Sequence, residues 1–338
     1  MLAPNWLGDA VMALPAMADV RRRFPSARIV VSARRSVADL FRLVALVDDV
    51  INQDAEALRA SGADVAILFP NSFASAWLVR RAGIAERWGY ATDWRGRLLT
   101  RAIRRPGGSR HQGAYYQHLV GALGIEAPGI ERLGIELGPL EPSLSIPDSA
   151  VTSARRVLID RGWDGERPLL VFAPGAAYGT AKRWIPGHVS TVINDLVRQG
   201  RTCVLVGSRA DASTTRDIRG AVDEASRPQV IDVSGETSLE ILAGMLSIAQ
   251  GCVSNDSGAM HLAAAVGTPL VALFGPTRES ETAPLMRAGG RAEVLTHQVW
   301  CRPCMLRECP IDHRCMTGID PARVLATVER LVTSGAAP

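Results

Sequence analysis

The apolar run Leu169-Leu170-Val171-Phe172 leads into Pro174-Gly175-Ala176-Ala177-Tyr178-Gly179-Thr180-Ala181-Lys182-Arg183-Trp184. A short apolar strand followed by a glycine-bearing turn and then a helical pattern is the signature of an α/β unit, where backbone N–H groups gather around phosphate oxygens. The stretch also carries the chain's one lysine: of the 38 Lys and Arg residues, 37 are arginine. A compact, flexible ammonium is thereby kept where a planar guanidinium fork would not serve. The stretch reads as a loop that grips a diphosphate, with Thr180 and Lys182 on it. The plain alternative is a surface turn whose lysine has no special role.

Outward from this loop the pattern repeats. Thr202 to Val206, Val230 to Val233, Gly251 to Ser254 and Pro269 to Phe274 read as strands, separated by helical segments. The last helix spans residues 320–333. The first part of the chain alternates in the same way, with strands at Arg28 to Val31, Val47 to Ile51 and Asp64 to Phe69. Short apolar strands alternating with helices call for parallel sheets covered on both faces. Between the two series, Ile125 to Pro147 holds Pro128, Pro139, Pro142 and Pro147 with little periodicity, which marks a boundary. The expectation is two Rossmann-like domains, 1–147 and 148–338, facing a cleft, with the last helix able to pack back on the first domain.

With 338 residues and 47% hydrophobic content the chain can build two cores. No apolar run approaches the roughly 20 residues of a membrane span, and no secretory leader pattern opens the chain, so the expected location is the cytoplasm. The net charge is +4. It is unevenly placed: Arg80 to Arg110 holds nine arginines against Glu86 and Asp93, a local balance of +7. No nucleic-acid-binding module accompanies this segment, so nucleic acid is not the expected partner. An anionic ligand, a phospholipid headgroup surface and a merely solvated helix face stay open for it.

Three further places carry candidate chemistry. Gly8-Asp9 precedes the helical pattern Ala10 to Val20, where a carboxylate caps a helix or, next to a glycine that admits a ligand, does chemistry at the end of a strand. Asp256-Ser257-Gly258 opens a helix with His261 one turn in, a second anion-suited helix start. Its aspartate repels phosphate but suits sugar hydroxyls; the alternative is an N-cap with a core histidine. Finally, Cys301-x2-Cys304-x4-Cys309-x5-Cys315 permits tetrahedral zinc, disulfides or four free thiols, so metal binding there stays undecided. Cys203 and Cys252, inside apolar runs, read as small buried hydrophobes.

Taken in order, Pro4-Asn5-Trp6-Leu7-Gly8-Asp9-Ala10-Val11-Met12, Phe69-Pro70-Asn71-Ser72-Phe73, Pro174-Gly175 through Lys182-Arg183-Trp184, and Ser254-Asn255-Asp256-Ser257-Gly258-x-x-His261 resemble glycosyltransferase family 9. Within it the chain is most similar to the ADP-heptose:lipopolysaccharide heptosyltransferases, the type II branch in particular, from residue 1 to about residue 335. The resemblance implies a GT-B fold, with the nucleotide sugar on the C-terminal domain and the acceptor on the N-terminal one. It implies inverting transfer of L-glycero-D-manno-heptose from ADP-heptose to the lipopolysaccharide inner core, a lipid A-linked glycolipid at the inner membrane face, with no essential metal or cofactor. By the same resemblance Asp9 is the general base, Lys182 contacts phosphate, and Asp256, Ser257, Gly258 and His261 form the donor loop. Gly8, Asn71 and Thr180 are further substrate contacts, and Asp211 is a candidate for the ribose. Two features depart from the family: only Met1-Leu2-Ala3 remain of the first strand, so either the start lies upstream or that strand is very short, and the cysteine cluster is not shared by all relatives. A non-transferring GT-B enzyme of the UDP-GlcNAc 2-epimerase type, or transfer to another glycan, are the alternatives.

Overall fold

The computed structural model describes residues 1–123 and 136–333 in full and the strands at 125–127 and 130–133 by their backbone. Two compact units result, Met1–Ser145 and Ile146–Pro338. The expected linker resolves in part into an antiparallel pair of short strands, while its Pro128 lies outside the described residues.

The first unit runs α1 (Leu7–Met12), α2 (Leu14–Arg23), β1 (Val30–Ala33), α3 (Arg35–Arg42), β2 (Asp49–Asn52), α4 (Ala55–Ala60), β3 (Val65–Leu68), α5 (Phe73–Arg81), β4 (Glu86–Tyr90), β5 (Arg101–Ile103), α6 (Gln112–Ala122), β6 (Ile125–Ala127) and β7 (Ile130–Leu133). β1 pairs with β2, and β3, β4 and β5 pair in succession, all parallel. Leu2 joins the two groups, bridging Ser32 of β1 and Leu68 of β3. Its N–H donates to Ile67 at 2.8 Å and the Ala3 N–H to Ser32 at 2.9 Å. This short stretch fills the middle of the sheet, and Leu2 sits with Leu68, Val79 and Ile84 in the core.

Helix boundaries follow the capping chemistry. Asp54 accepts from the Ala57 N–H at 2.8 Å and starts α4, and Ser72 accepts from the Ser75 N–H at 3.3 Å and starts α5. The opening helix differs from expectation in two ways. It breaks at Ala13, where Pro15 restarts the chain as α2, and it begins at Leu7. Gly8 and Asp9 thus lie inside the first turn, with Trp6 at the N-cap, so Asp9 is not the capping residue.

The second unit runs α7 (Asp148–Asp160), β8 (Leu169–Ala173), α8 (Pro186–Arg198), β9 (Thr202–Leu205), α9 (Ala212–Ala221), β10 (Val230–Asp232), α10 (Leu239–Ile248), β11 (Gly251–Asn255), α11 (Gly258–Val266), β12 (Leu270–Phe274), α12 (Glu279–Thr282), β13 (Ala292–Thr296), α13 (Arg314–Thr317) and α14 (Pro321–Thr333). Its six parallel strands take the order β10-β9-β8-β11-β12-β13. Asp148 is the first residue of α7, and Pro147 holds the N-cap. Gly267 ends α11 in the left-handed region at φ 96°, a conformation glycine adopts without strain. Helix α14, which the sequence leaves able to reach the first domain, buries Val324, Val328 and Leu331 in the core of its own unit with Val253 and Val271.

Strand order fixes where chemistry is placed. The chain runs outward from β8 through β9 and β10, then returns to pair β11 against β8 and runs outward the other way. Neighbouring strands that lead in opposite directions leave a crevice beyond their carboxyl ends, the usual ligand position in open α/β sheets. β8 leads into the lysine loop and β11 leads into Asp256.

Candidate active site

The two loops beyond β8 and β11 are fastened by a residue that the sequence reading did not single out. Asn255, buried at the end of β11, donates from Nδ2 to the Pro174 carbonyl at 2.6 Å and accepts at Oδ1 from the Trp184 N–H at 3.3 Å. One amide thus holds the first and last residues of the lysine loop. Trp184 is sunk in the core beyond, its indole N–H donating to the Ile319 carbonyl at 3.1 Å.

Within that clamp Lys182 meets Asp256. Lys182 Nζ lies 2.6 Å from Asp256 Oδ2, and the Thr277 hydroxyl donates to the same oxygen at 2.6 Å. The side chains are 12% and 5% exposed. The Tyr178 ring lies 4.8 Å from the ammonium and faces it as a cation–π partner, with Arg307 5.2 Å from the same ring. The carboxylate beside the lysine loop therefore has a physical role: it neutralises and aims the one lysine. The reading of Asp256 as a sugar contact alone omitted this pairing.

The lysine loop leans on the cysteine-bearing segment. Ala181 N–H donates to the Arg307 carbonyl at 3.0 Å and the Tyr178 hydroxyl to the Met305 carbonyl at 2.9 Å. Gly179 is needed where these chains touch: a Cβ there would stand 2.2 Å from the Arg307 carbonyl oxygen. The four cysteines are free thiols, and among the described residues no three His, Cys, Asp or Glu side chains are grouped to hold a metal ion. Burial, and then the neighbouring Cys301, Cys304 and Cys309, push the Cys315 thiol up.

Asp211 closes the third side. Its Oδ2 accepts from the Ser208 N–H at 3.0 Å and the Ser208 hydroxyl at 2.7 Å, while Arg183 lies 3.6 Å from Oδ1. Gly175 faces this carboxylate so closely that a Cβ would be 2.4 Å from its carbon. Ser257 is the extended N-cap of α11, its hydroxyl 3.2 Å from that of Ser254, and Gly258 is the first helical residue. His261 is buried on the same helix, and Thr180 is exposed at the start of the short turn that carries Lys182.

In the first unit, Asp9 and Asn71 follow adjacent strands and are both met by α6. The buried Tyr116 hydroxyl is hydrogen-bonded to Asp9 and to Gln112. Burial, and then the charge of Asp9, raise the Tyr116 pKa well above the ordinary phenol range, so the hydroxyl stays protonated and donates to the carboxylate. One residue earlier, the Tyr115 hydroxyl accepts from Asn71 Nδ2 at 2.9 Å, and Arg95 donates to Asn71 Oδ1 at 3.4 Å. Neither tyrosine was singled out from sequence; their only signal is a Tyr-Tyr pair inside a helix.

The arginine-rich segment needs correction as a uniform basic patch. Arg95 is fully buried, donating to the Tyr90 carbonyl at 2.8 Å, and burial lowers its pKa to about 10. Arg87 serves the carbonyls of Leu98 and Ile84, both at 2.7 Å, and Arg101 that of Leu123 at 2.8 Å. The segment also contains β4 and β5, strands that its charge concealed. Arg80, Arg81, Arg97, Arg104, Arg105 and Arg110 remain exposed.

The chain as a whole is similar to known proteins. Residues 52–314 match the family model described as glycosyltransferase family 9 (heptosyltransferase). The chain is 30% identical over 300 residues to lipooligosaccharide heptosyltransferase 2 of Haemophilus influenzae, covering 84% of this chain and 85% of that one. It is 28% identical over 351 residues to lipopolysaccharide heptosyltransferase 2 of Salmonella typhimurium, covering 98% of each. The solved structure of E. coli ADP-heptose LPS heptosyltransferase II superposes with a TM-score of 0.84 at 28% identity, over 99% of this chain and 98% of that one. Two Rossmann-like units with parallel sheets agree with the GT-B expectation. The chain belongs to glycosyltransferase family 9, the heptosyltransferases, and is a glycosyltransferase.

Proposed function

We propose that the chain transfers L-glycero-D-manno-heptose from ADP-heptose to the heptosyl-Kdo2-lipid A core of lipopolysaccharide, with inversion. The observation that carries this reading is the Lys182–Asp256 pair, 2.6 Å apart at the strand switch of the second unit. An ammonium held by a carboxylate is ready to exchange partners: the donor diphosphate takes the amine, and Asp256 turns to accept from heptose hydroxyls.

Inverting transfer is one displacement. The acceptor oxygen bonds to the anomeric carbon as that carbon's bond to the phosphate oxygen breaks, and the electron pair leaves with ADP. Asp9, oriented by Tyr116, takes the acceptor hydroxyl proton. Lys182 and the N–H groups at Ser257 and Gly258 stabilise charge growing on the departing diphosphate. Gly8, Asn71, Thr180 and His261 line the substrates, and Asp211, held by Ser208, faces the ribose. Lys182 supplies charge that a divalent cation supplies in other transferases, so turnover should survive a chelator; loss of turnover restored by added metal would contradict this.

Among the described residues no helix is long and apolar enough to cross a membrane. The acceptor is lipid-anchored, so in this reading the enzyme works at the cytoplasmic face of the inner membrane and the exposed arginines receive acceptor phosphates. The test is a panel of ADP- and UDP-sugars. ADP-heptose should raise the melting temperature progressively with the logarithm of its concentration, and with heptosyl-Kdo2-lipid A it should yield ADP and a heptosylated lipid. Protection by UDP-sugars alone, or release of nucleotide and an altered sugar without acceptor, would overturn the reading in favour of an epimerase-type enzyme.

A further inference from the structure

One surface of the first unit presents, beside its exposed arginines, aromatic rings that play no part in the chemistry above. Phe73, Trp77, Arg80 and Arg81 fall four, seven and eight residues apart along α5 and share its outer face, while Ser75, Ala76 and Val79 turn into the core. Phe73 and Trp77 stack with ring centroids 6.4 Å apart, yet are 44% and 51% exposed. Trp94, 95% exposed, stands at the start of the same helix.

The Trp94 turn is rigid. Asp93 Oδ2 accepts from the Phe73 N–H at 2.6 Å, tying the turn to the first residue of α5. Asp93 and Trp94 have φ of 50° and 58°, in the left-handed region that residues with side chains adopt only where their surroundings hold them. Arg95 supplies that hold, its buried guanidinium bonded to Tyr90 and to the Ser75 hydroxyl at 3.0 Å. Exposed Arg97 follows on the same turn.

We infer that this face docks on an anionic phospholipid bilayer. Three exposed aromatic rings suit the boundary between headgroups and acyl chains, where an indole buries its ring and keeps its N–H hydrated. Arg80, Arg81 and Arg97 give the face the charge that complements an anionic leaflet, each basic residue near such a surface adding severalfold to binding. A merely solvated helix would not place stacked rings outward, nor spend a left-handed turn on presenting a tryptophan. The inference stands independently of the heptosyl transfer proposed above.

The test is co-flotation of the full chain with phosphatidylcholine vesicles, with and without phosphatidylglycerol, at about 0.1 M salt. The wild-type chain should float with the anionic vesicles only. The Trp77→Ser/Trp94→Ser double variant should lose about tenfold or more in partitioning, while its transfer to a deacylated, water-soluble acceptor stays unchanged. Equal flotation of wild type and double variant would overturn the inference. So would flotation of the wild type with neutral vesicles alone, or with none, and so would an unchanged vesicle partition accompanied by conversion of a dimer to a monomer. Absent transfer by the wild type would instead count against heptosyl transfer and leave the vesicle result standing.

Discussion

One of the two carboxylate oxygens of Asp256 carries two donors, Lys182 at 2.6 Å and Thr277 at 2.6 Å, in a setting nearly closed to water. Removing one partner of a buried pair leaves the other charge without compensation, a loss of about 3–5 kcal/mol. Asp256→Ala should therefore lower stability by roughly that much, seen as a drop in the urea midpoint, before any question of turnover; an unchanged midpoint would show that the pair carries no weight. Asp9 answers to a different physics, because its Tyr116 partner orients rather than neutralises it. Asp9→Asn should keep donor affinity and lose most of kcat, whereas Tyr116→Phe should keep affinity and lose about tenfold in kcat, the worth of one hydrogen bond to a charged group. Equal turnover in Asp9→Asn would return that residue to a structural role. The carboxylates and the lysine were legible in sequence because charged residues at strand ends are rare and motif-bound. Asn255 and Tyr116 were harder to read, since a buried amide and a buried phenol show their partners only after folding.

The lysine loop is legible as an element and illegible as an assembly. Its strand, glycines and lysine stand together in the sequence, but its supports at Met305 and Arg307 lie more than a hundred residues away and have no periodic pattern to announce them. Gly179 marks that contact. Gly179→Ala puts a methyl 2.2 Å from a backbone oxygen that cannot swing aside, so the loop must shift and carry Lys182 with it. The expected result is a raised KM for the donor with little change in stability; an unchanged KM would mean the loop rides freely on its support. The arginine-rich segment teaches the converse. Composition presented it as one basic surface, yet Arg87, Arg95 and Arg101 are spent on backbone carbonyls and only the remainder face water. Charge counted along a chain cannot tell a guanidinium that binds a ligand from one that satisfies buried carbonyls.

Each unit of the molecule is held by its own parallel sheet, and alternation conveyed the plan of both while missing β4 and β5. The first sheet depends on a strand of hardly three residues at its centre, where Leu2 bridges β1 and β3; periodicity cannot report a strand that short. Nearby, Asp48 accepts from the Ile29 N–H at 2.6 Å and from Arg21 at 2.5 Å, and these bonds, the backbone one first, hold its pKa below the ordinary 3.8. A carboxyl depressed on folding contributes stability above its unfolded pKa and loses it as pH falls through the folded value. Thermal stability should thus decline below about pH 4, and Asp48→Asn should flatten that decline; an identical acid limb in the variant would assign it to other carboxylates.

The most direct test of the whole account is the steady-state rate of Lys182→Arg on ADP-heptose and acceptor. The substitution keeps the charge and changes only its shape, in a site bounded by the Tyr178 ring and the Asp256 carboxylate. If a compact ammonium moves from Asp256 to the departing diphosphate, kcat/KM should fall by about 10- to 100-fold in the correctly folded variant, the worth of one charge-assisted contact. A rate within about twofold of wild type would contradict it, because any cation would then serve.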